Sequence, residues 1–360
     1  MAAGRWYGRD ILDGAGGQAV ARPARESRLQ ADVTALVCDL RDGWTGRWLA
    51  LTAAYVAVGY ATGSALALPM NWLLHYMLAQ ARAVLVVTYL PLALAFAANA
   101  VLGPRARLDG VASRLTSFRF LGEFILATVA VHVTLMVFVN LKLWIPAINE
   151  RLYDSPLWRL DALLHFGVEP SAFATEFAGD HGLLPALDRA YLLFFPAQAI
   201  VPLLFLIAAR LRPLRGPFFF AYCLLWVVGS AMYVAWPSLG PVYYWPGRFP
   251  WLDQAPYAQQ LQELLIRDYA AFRSMPGAHQ VKMYYGVAAL PSLHVAVLAL
   301  FAIATRPWRA LSIALWVLTA VTFVGSLALG WHYAVDGYLG VALAWGCWWV
   351  ARRIERTRSA

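Results

Sequence analysis

Two short stretches near the C-terminal end of this 360-residue chain carry residue types suited to nucleophilic and acid–base chemistry. One holds Ser292 and His294 directly after Pro291, and the other holds His332 and Asp336. Each stretch opens an apolar run, and ionisable groups in membrane-spanning runs are costly and tend to mark function. Two histidines and one carboxylate at a common membrane boundary predict phosphoryl transfer on a lipid.

The spacing of these residues suggests a role for each. On a helix, His332 and Asp336 would share one face, where the carboxylate could hold one imidazole nitrogen. The other nitrogen would keep its lone pair, so His332 could attack phosphorus and form a phosphohistidine. His294 could protonate the leaving oxygen and then deprotonate the incoming nucleophile. Pro291 suits the first turn of a helix, whose free N–H groups, with the Ser292 hydroxyl, could receive phosphate oxygens.

The composition is that of a polytopic membrane protein, with 61% hydrophobic and only 14% charged residues. A soluble chain would carry about 25% charged residues. The three cysteines lie far apart and show no metal-binding spacing. Runs of about 20 apolar residues can cross the hydrocarbon core of a bilayer, and they predict an all-α protein with about eight transmembrane helices. These lie at roughly 48–68, 82–102, 120–146, 187–209, 217–236, 287–305, 310–330 and 333–351.

The distribution of basic residues predicts the orientation. The two tails and three short connections on one side hold 20 of the 29 Lys and Arg residues. Short basic connections favour the cytoplasm, so both termini are predicted to be cytoplasmic and the active site extracytoplasmic, in a bacterial-type inner or plasma membrane. The long connections 147–186 and 237–286 then lie outside. The N-terminal tail lacks a dense Lys/Arg run, which argues against nucleic-acid binding.

The two histidine-containing stretches resemble motifs of the type 2 phosphatidic acid phosphatase (PAP2) superfamily. That family carries Pro-Ser-Gly-His and then Ser-Arg-x-x-x-x-x-His-x-x-x-Asp. Here the motifs read Pro291-Ser-Leu-His294 and Ser326-Leu-Ala-Leu-Gly-Trp-His332-Tyr-Ala-Val-Asp336. Leucine in place of glycine, and the His-Tyr-x-x-Asp form, look more like the inositol phosphorylceramide synthase branch. The resemblance implies a metal-independent phosphohistidine mechanism that uses no cofactor.

The resemblance also implies a domain organisation. A cytoplasmic tail would occupy residues 1–45 and two N-terminal transmembrane helices residues 46–118. A six-helix PAP2-like catalytic core would follow at 119–351, and a short cytoplasmic tail at 352–360. The tail contains an amphipathic patch from Leu29 to Leu40, which predicts a surface helix.

The upstream Lys-x6-Arg-Pro motif, whose cations hold the phosphate in phosphatases of the superfamily, is missing. Arg189, at the head of the fourth predicted span, and Arg273 and Lys282, in the loop before His294, are candidates to neutralise the phosphate instead. Ser292 could add a donor. Tyr243 and Tyr244 of the long aromatic loop could cover a lipid head group.

Three functions are compatible with the sequence. A lipid alcohol such as ceramide or diacylglycerol as acceptor, with a phosphoinositol-type donor, gives a phosphotransferase, as the synthase branch suggests. Water as acceptor gives a lipid phosphate or polyprenyl phosphate phosphatase on the same site. A transporter could instead use His332 and Asp336 as a proton relay, although the polar residues cluster at one face and do not thread the spans. The missing phosphate motif favours the transferase.

Overall fold

The computed structural model describes residues 28–72, 78, 82, 117–208, 210–275, 287 and 289–359. Within these ranges the chain is helical and contains no strand. Numbered along the described residues, the first seven helices are α1 (Arg28–Asp42), α2 (Trp44–Ala65), α3 (Phe118–Ile148), α4 (Asp154–Leu164), α5 (Pro170–Asp180), α6 (Leu184–Tyr191) and α7 (Phe194–Ile207). The remaining six are α8 (Arg215–Ala235), α9 (Pro241–Tyr244), α10 (Pro256–Ser274), α11 (Leu293–Ala304), α12 (Arg309–Ala328) and α13 (Ala334–Ser359).

Four helical segments of the described chain are long and apolar enough to cross a membrane. They are Phe118–Ile148, Leu184–Ile207, Arg212–Ala235 and Arg309–Ala328. Each overlaps one of the eight predicted spans. The second combines α6 and α7, which are separated by a break at Leu192 and Leu193.

The other four predicted spans do not meet this criterion of helix length and apolar composition among the described residues. The run 82–102 lies almost entirely outside the described residues. Helices α2 and α13 are long enough to cross, but their Trp, Tyr and Gly residues lower the mean hydropathy, and they fall outside the apolar group. The run 287–305 forms only the twelve-residue helix α11. Among the described residues, four of the eight predicted spans therefore meet this criterion, and the count of eight is not confirmed.

Helix α11 is the buried centre of the bundle. Every residue from Val295 to Ala304 is almost completely inaccessible, as expected for a helix that is apolar on all sides. Helices α12 and α13 pack along it, and α8 packs against both α11 and α13. On its other side α8 packs against α2 and α3. The amphipathic α1, which confirms the helix predicted for the tail, packs on α2 and α3.

Ion pairs tie together the N-terminal ends of two spans. The Glu123 carboxylate, in the first turns of α3, accepts hydrogen bonds from Arg119, at 3.0 Å, and from Arg215, which opens α8. The second Arg215–Glu123 hydrogen bond measures 2.8 Å. Since both helices begin at this end, their C-terminal ends meet at the other end of the bundle, where α11 and α13 begin.

Candidate active site

The structure brings His294, His332 and Asp336 together. His294 lies in the first turn of α11, Asp336 lies in the first turn of α13, and His332 lies in the segment that enters α13. Helix α12 runs between the two and returns the chain to the same end. The His294 and His332 ring centroids are 6.3 Å apart. This separation leaves room for a phosphoryl group between the two imidazoles.

His332 and Asp336 do contact each other, but they do not lie together on one helix as their spacing predicts. Helix α13 begins only at Ala334, so His332 precedes it. Asp336 bends back: its Oδ2 accepts the Tyr333 backbone N–H at 2.9 Å and lies 3.3 Å from His332 Nδ1. Gly330, at φ 72°, turns the chain out of α12 before this segment. The contact at Nδ1 leaves Nε2 as the free nitrogen of His332.

The pair is buried, and part of its hydrogen-bonding capacity is unused. Asp336 is 0% exposed and His332 is 4% exposed. Asp336 Oδ1 has no hydrogen-bond partner in the described part of the chain. Buried polar atoms are normally satisfied, and an exception marks a functional group or an unseen partner.

The start of α11 differs from the prediction at Pro291. The helix begins at Leu293 with Ser292 as its N-cap, so Pro291 precedes the helix and does not form its first turn. The Ser292 N–H is already used, since it donates to the Asp336 carbonyl at 2.9 Å and joins α11 to α13. The Ser292 hydroxyl is buried and has no partner among the described residues. It therefore stays a candidate donor to phosphate.

A cavity of about 180 Å³ ends at the two histidines. Its walls come from α3, the α6–α7 segment, α8, α10 and α11, and most of the side chains that line it are apolar. His294 packs against the rings of Tyr191 and Phe194, at centroid distances of 5.0 and 4.3 Å. Trp331 also lines the cavity beside His332. The site therefore combines two imidazoles with a mainly apolar chamber.

Two buried aspartates of α4 hold the segments that carry the site. Asp154 accepts the backbone N–H groups of Leu239 and Gly240, at 3.0 and 2.8 Å, and the Tyr333 hydroxyl at 2.8 Å. Asp161 accepts the N–H groups of Ala334 and Val335, at 2.6 and 2.9 Å. Asp161 thus satisfies free donors at the N-terminus of α13 from a different helix.

Spacing alone does not indicate that these aspartates are buried. On a regular helix, the apolar residues Leu157, Trp158, Leu160 and Leu164 of α4 would share one face. In the structure Leu157, Trp158 and Asp161 face inward, whereas Leu160 and Leu164 are exposed. Burial raises the pKa of both aspartates, and the backbone N–H donors oppose that rise by favouring the charged form.

Replacing Asp161 by asparagine is expected to loosen the start of α13. An amide oxygen accepts one of the two N–H groups well, while the amide nitrogen faces the other donor. We expect a loss of about 1–3 kcal/mol of stability and a lower kcat with little change in KM. The thermal unfolding midpoint and the steady-state kinetics in detergent measure this. Asp180→Asn, an exposed change at the end of α5, is the control; an Asp161→Asn protein indistinguishable from it would contradict the positioning role.

The predicted phosphate-binding residues lie mostly apart from the histidines. Arg189 and Arg273 are exposed and do not line the cavity. Lys282 lies outside the described residues. Tyr243 donates its hydroxyl to the Gln262 carbonyl at 3.2 Å, and the Tyr244 ring packs near Trp158, with centroids 6.4 Å apart.

The segment 237–245, which contains these tyrosines, is nevertheless hydrogen-bonded to both segments that carry the histidines. The Val242 N–H donates to the Gly330 carbonyl at 3.0 Å, and the Ala289 N–H donates to the Ser238 carbonyl at 3.0 Å. Gly240, at φ 108°, lies so close to Trp331 that a Cβ atom would approach the Trp331 carbonyl oxygen to 2.6 Å. The loop therefore helps to fix the backbone beside His332.

One basic residue that sequence reasoning did not select does line the cavity. Lys142, on α3, shares this lining with His294 and His332. For metals, no group of three or more His, Cys, Asp or Glu side chains in the described ranges is arranged to hold an ion.

Comparison with known proteins agrees with this site. The sequence model of the PAP2 superfamily matches residues 155–350, which include α4 through most of α13 and all three central residues. The chain therefore belongs to the PAP2 superfamily. No curated protein and no solved structure matches it significantly. Membership suggests a phosphatase or phosphotransferase activity in a membrane protein.

Proposed function

We propose that this protein is a lipid phosphotransferase that moves a phosphoryl-linked head group from one lipid to another through a phosphohistidine on His332. The observation that carries this proposal is the apolar cavity that ends at His294 and His332. A lipid chain can occupy the cavity while its phosphoryl group lies between the imidazoles. Superfamily membership supports the reaction class, and the His-Tyr-x-x-Asp form supports the transferase branch.

In the first half-reaction, Nε2 of His332 attacks phosphorus. A P–N bond forms as the P–O bond to the donor lipid breaks, and protonated His294 gives its proton to the departing alkoxide. Asp336 holds Nδ1 and stabilises the positive charge that develops on the ring. The products are the donor lipid alcohol and a phosphohistidine that carries the head group.

In the second half-reaction, His294 takes the proton of the acceptor hydroxyl, and the acceptor oxygen attacks phosphorus. The P–N bond breaks and neutral His332 is restored, with His294 protonated for the next cycle. The buried position of His332 and the apolar walls support transfer over hydrolysis, since water exclusion protects a reactive intermediate. A phosphoinositol-type donor with ceramide or diacylglycerol as acceptor follows from the branch resemblance.

An acceptor-dependence assay tests this function. Purified enzyme in detergent receives a phosphoinositol lipid labelled in the head group, with ceramide, with diacylglycerol or with neither. Label that moves to the acceptor lipid, in proportion to acceptor concentration, is expected. Release of water-soluble head group or phosphate at one rate in all three mixtures would instead identify a phosphatase.

The proposed orientation places the site outside the cytoplasm. Single cysteines at Trp245, on the exposed loop near the site, and at Arg306, at the opposite end of α11, report the two sides. With Cys38 replaced by serine, an impermeant maleimide should label the Trp245→Cys protein in intact cells, but not the Arg306→Cys protein until the cells are opened. The wild-type protein, whose Cys38 is exposed on α1, is a separate control, and Cys38 should behave like the Arg306 site. The reverse pattern would place the reaction on the cytoplasmic side.

A further inference from the structure

Lys142 occupies an unusual place in this chain. It is one of only two lysines among 29 basic residues, and it lies within the apolar helix α3, about 28 Å along the helix from Glu123 at a rise of 1.5 Å per residue. Leu135, Phe138 and Val139 precede it at helical spacing, and all four side chains line the cavity. The face of α3 that borders the cavity therefore carries a positively charged side chain toward its C-terminal end.

The charge of Lys142 is not neutralised by the protein around it. Within the described ranges it has neither an ion-pair nor a hydrogen-bond partner, and it shares the cavity lining with His294. Asp188 also lines the cavity, but its two oxygens already accept the Tyr257 and Ala258 N–H groups at 2.9 Å, at the start of α10. An uncompensated cation in a mainly apolar chamber is costly, and an anionic ligand would remove that cost.

We propose that Lys142 binds the phosphoryl group of the donor lipid and that the donor is a phosphodiester. This inference rests on the proposed function, and it names the cation and the substrate class. Among the described residues that line the cavity, Lys142 is the only lysine or arginine. Lys142 is the only permanent cation among them, since the proton on His294 leaves with the donor alkoxide, and one such charge balances the single charge of a phosphodiester. A phosphomonoester carries close to two charges at neutral pH. The Lys142 ammonium lies on the cavity wall and draws the phosphoryl oxygens toward the two imidazoles.

Binding of two inert probes tests this assignment without turnover. 1,1-Difluorododecylphosphonate carries close to two negative charges at pH 7, because the fluorines make its second proton more acidic, and its monomethyl ester carries one. Calorimetry at pH 7 on the full-length protein compares wild type with Lys142→Met, Lys142→Arg and Arg151→Met. Methionine keeps an unbranched side chain in an apolar helix, and Arg151, exposed just beyond the end of α3, is the matched control for loss of a basic charge near the same end.

The monomethyl ester is expected to bind wild type more tightly than the dianion does. Lys142→Met should weaken binding of the ester by roughly 10- to 100-fold, the range for loss of a charge-assisted hydrogen bond. Lys142→Arg should retain most of the affinity, Arg151→Met should match wild type, and dodecanol should bind all four proteins equally.

Two results would overturn the inference. Wild-type affinity in a folded Lys142→Met protein would exclude Lys142 as the phosphoryl ligand, and tighter binding of the dianion would exclude the phosphodiester assignment. The proposed function is judged separately by label transfer in the wild-type enzyme. Transfer that persists at the wild-type rate in Lys142→Met would leave the function standing while the inference fails.

Discussion

Replacing His332 by glutamine is expected to reduce turnover by about 10⁴-fold or more while the protein stays folded. In the proposed mechanism this side chain supplies the attacking Nε2, and no other described nucleophile borders the cavity with an orienting carboxylate behind it. Loss of a residue that acts as part of a catalytic unit costs about as much as loss of the whole unit. Steady-state label transfer in detergent, normalised to monodisperse protein, measures the effect.

The matched control is a histidine remote from the cavity. His181 is exposed at the end of α5, where its ring contacts the Phe177 carbonyl. His181→Gln should therefore retain wild-type activity. Turnover within about tenfold of wild type in a folded His332→Gln protein would eliminate the nucleophilic mechanism.

Asp336→Asn should lower kcat by about 10²–10⁴-fold with little change in KM, by analogy with hydrogen-bonded triads. Asp336 Oδ2 contacts both the Tyr333 N–H and His332 Nδ1. An asparagine oxygen in the same place can still accept the Tyr333 N–H, so the start of α13 keeps its shape. The negative charge that orients His332 and stabilises the imidazolium is lost, and the neutral amide oxygen is a weaker acceptor for the Nδ1 proton.

A split between kcat and KM distinguishes this role from a structural one. Asp253→Asn, at an exposed position in the loop after α9, serves as the control. If Asp336→Asn raised KM and left kcat unchanged, Asp336 would act in substrate binding, and the orienting role would be wrong.

Much of the fold follows from run length and composition. The apolar runs at 120–146, 187–209, 217–236 and 310–330 became long helices because any backbone within a bilayer must satisfy its own hydrogen bonds. The run 287–305 forms a shorter helix than predicted, because hydropathy does not separate a short helix at the bundle centre from a longer one. Pro291 precedes the helix and leaves only twelve residues in α11.

Convergence of His294, His332 and Asp336 could be anticipated from the motif and from the return of the chain across α12. The position of Lys142 in the cavity lining could not be anticipated, because a count of basic residues uses Lys142 only to assign the sides of the membrane. A signal was present: a lysine within an apolar run, in helical register with Leu135, Phe138 and Val139. Which face of α3 borders a cavity depends on packing against α8 and α10, and sequence spacing does not reveal this.

The aspartates of α4 show the same limit. Their spacing along an amphipathic segment resembles that of a solvated face, whereas Asp154 and Asp161 are buried. Their partners are backbone N–H groups about 80 and 170 residues away in sequence and carry no sequence signature. These hydrogen bonds are visible only in the folded structure, where the ends of the helices come together.

Direct trapping of the phosphorylated enzyme tests the central claim. The donor is a phosphodiester whose nitrophenolate leaving group departs without needing a proton. The His294→Asn protein can therefore still form the adduct on His332, but it cannot activate an acceptor hydroxyl. Rapid quenching in alkali, proteolysis and mass spectrometry locate the adduct. We predict an acid-labile, alkali-stable adduct on His332 that is absent from the His332→Gln protein. Turnover by wild type with no adduct on His332, or with an adduct on another residue, would contradict the mechanism.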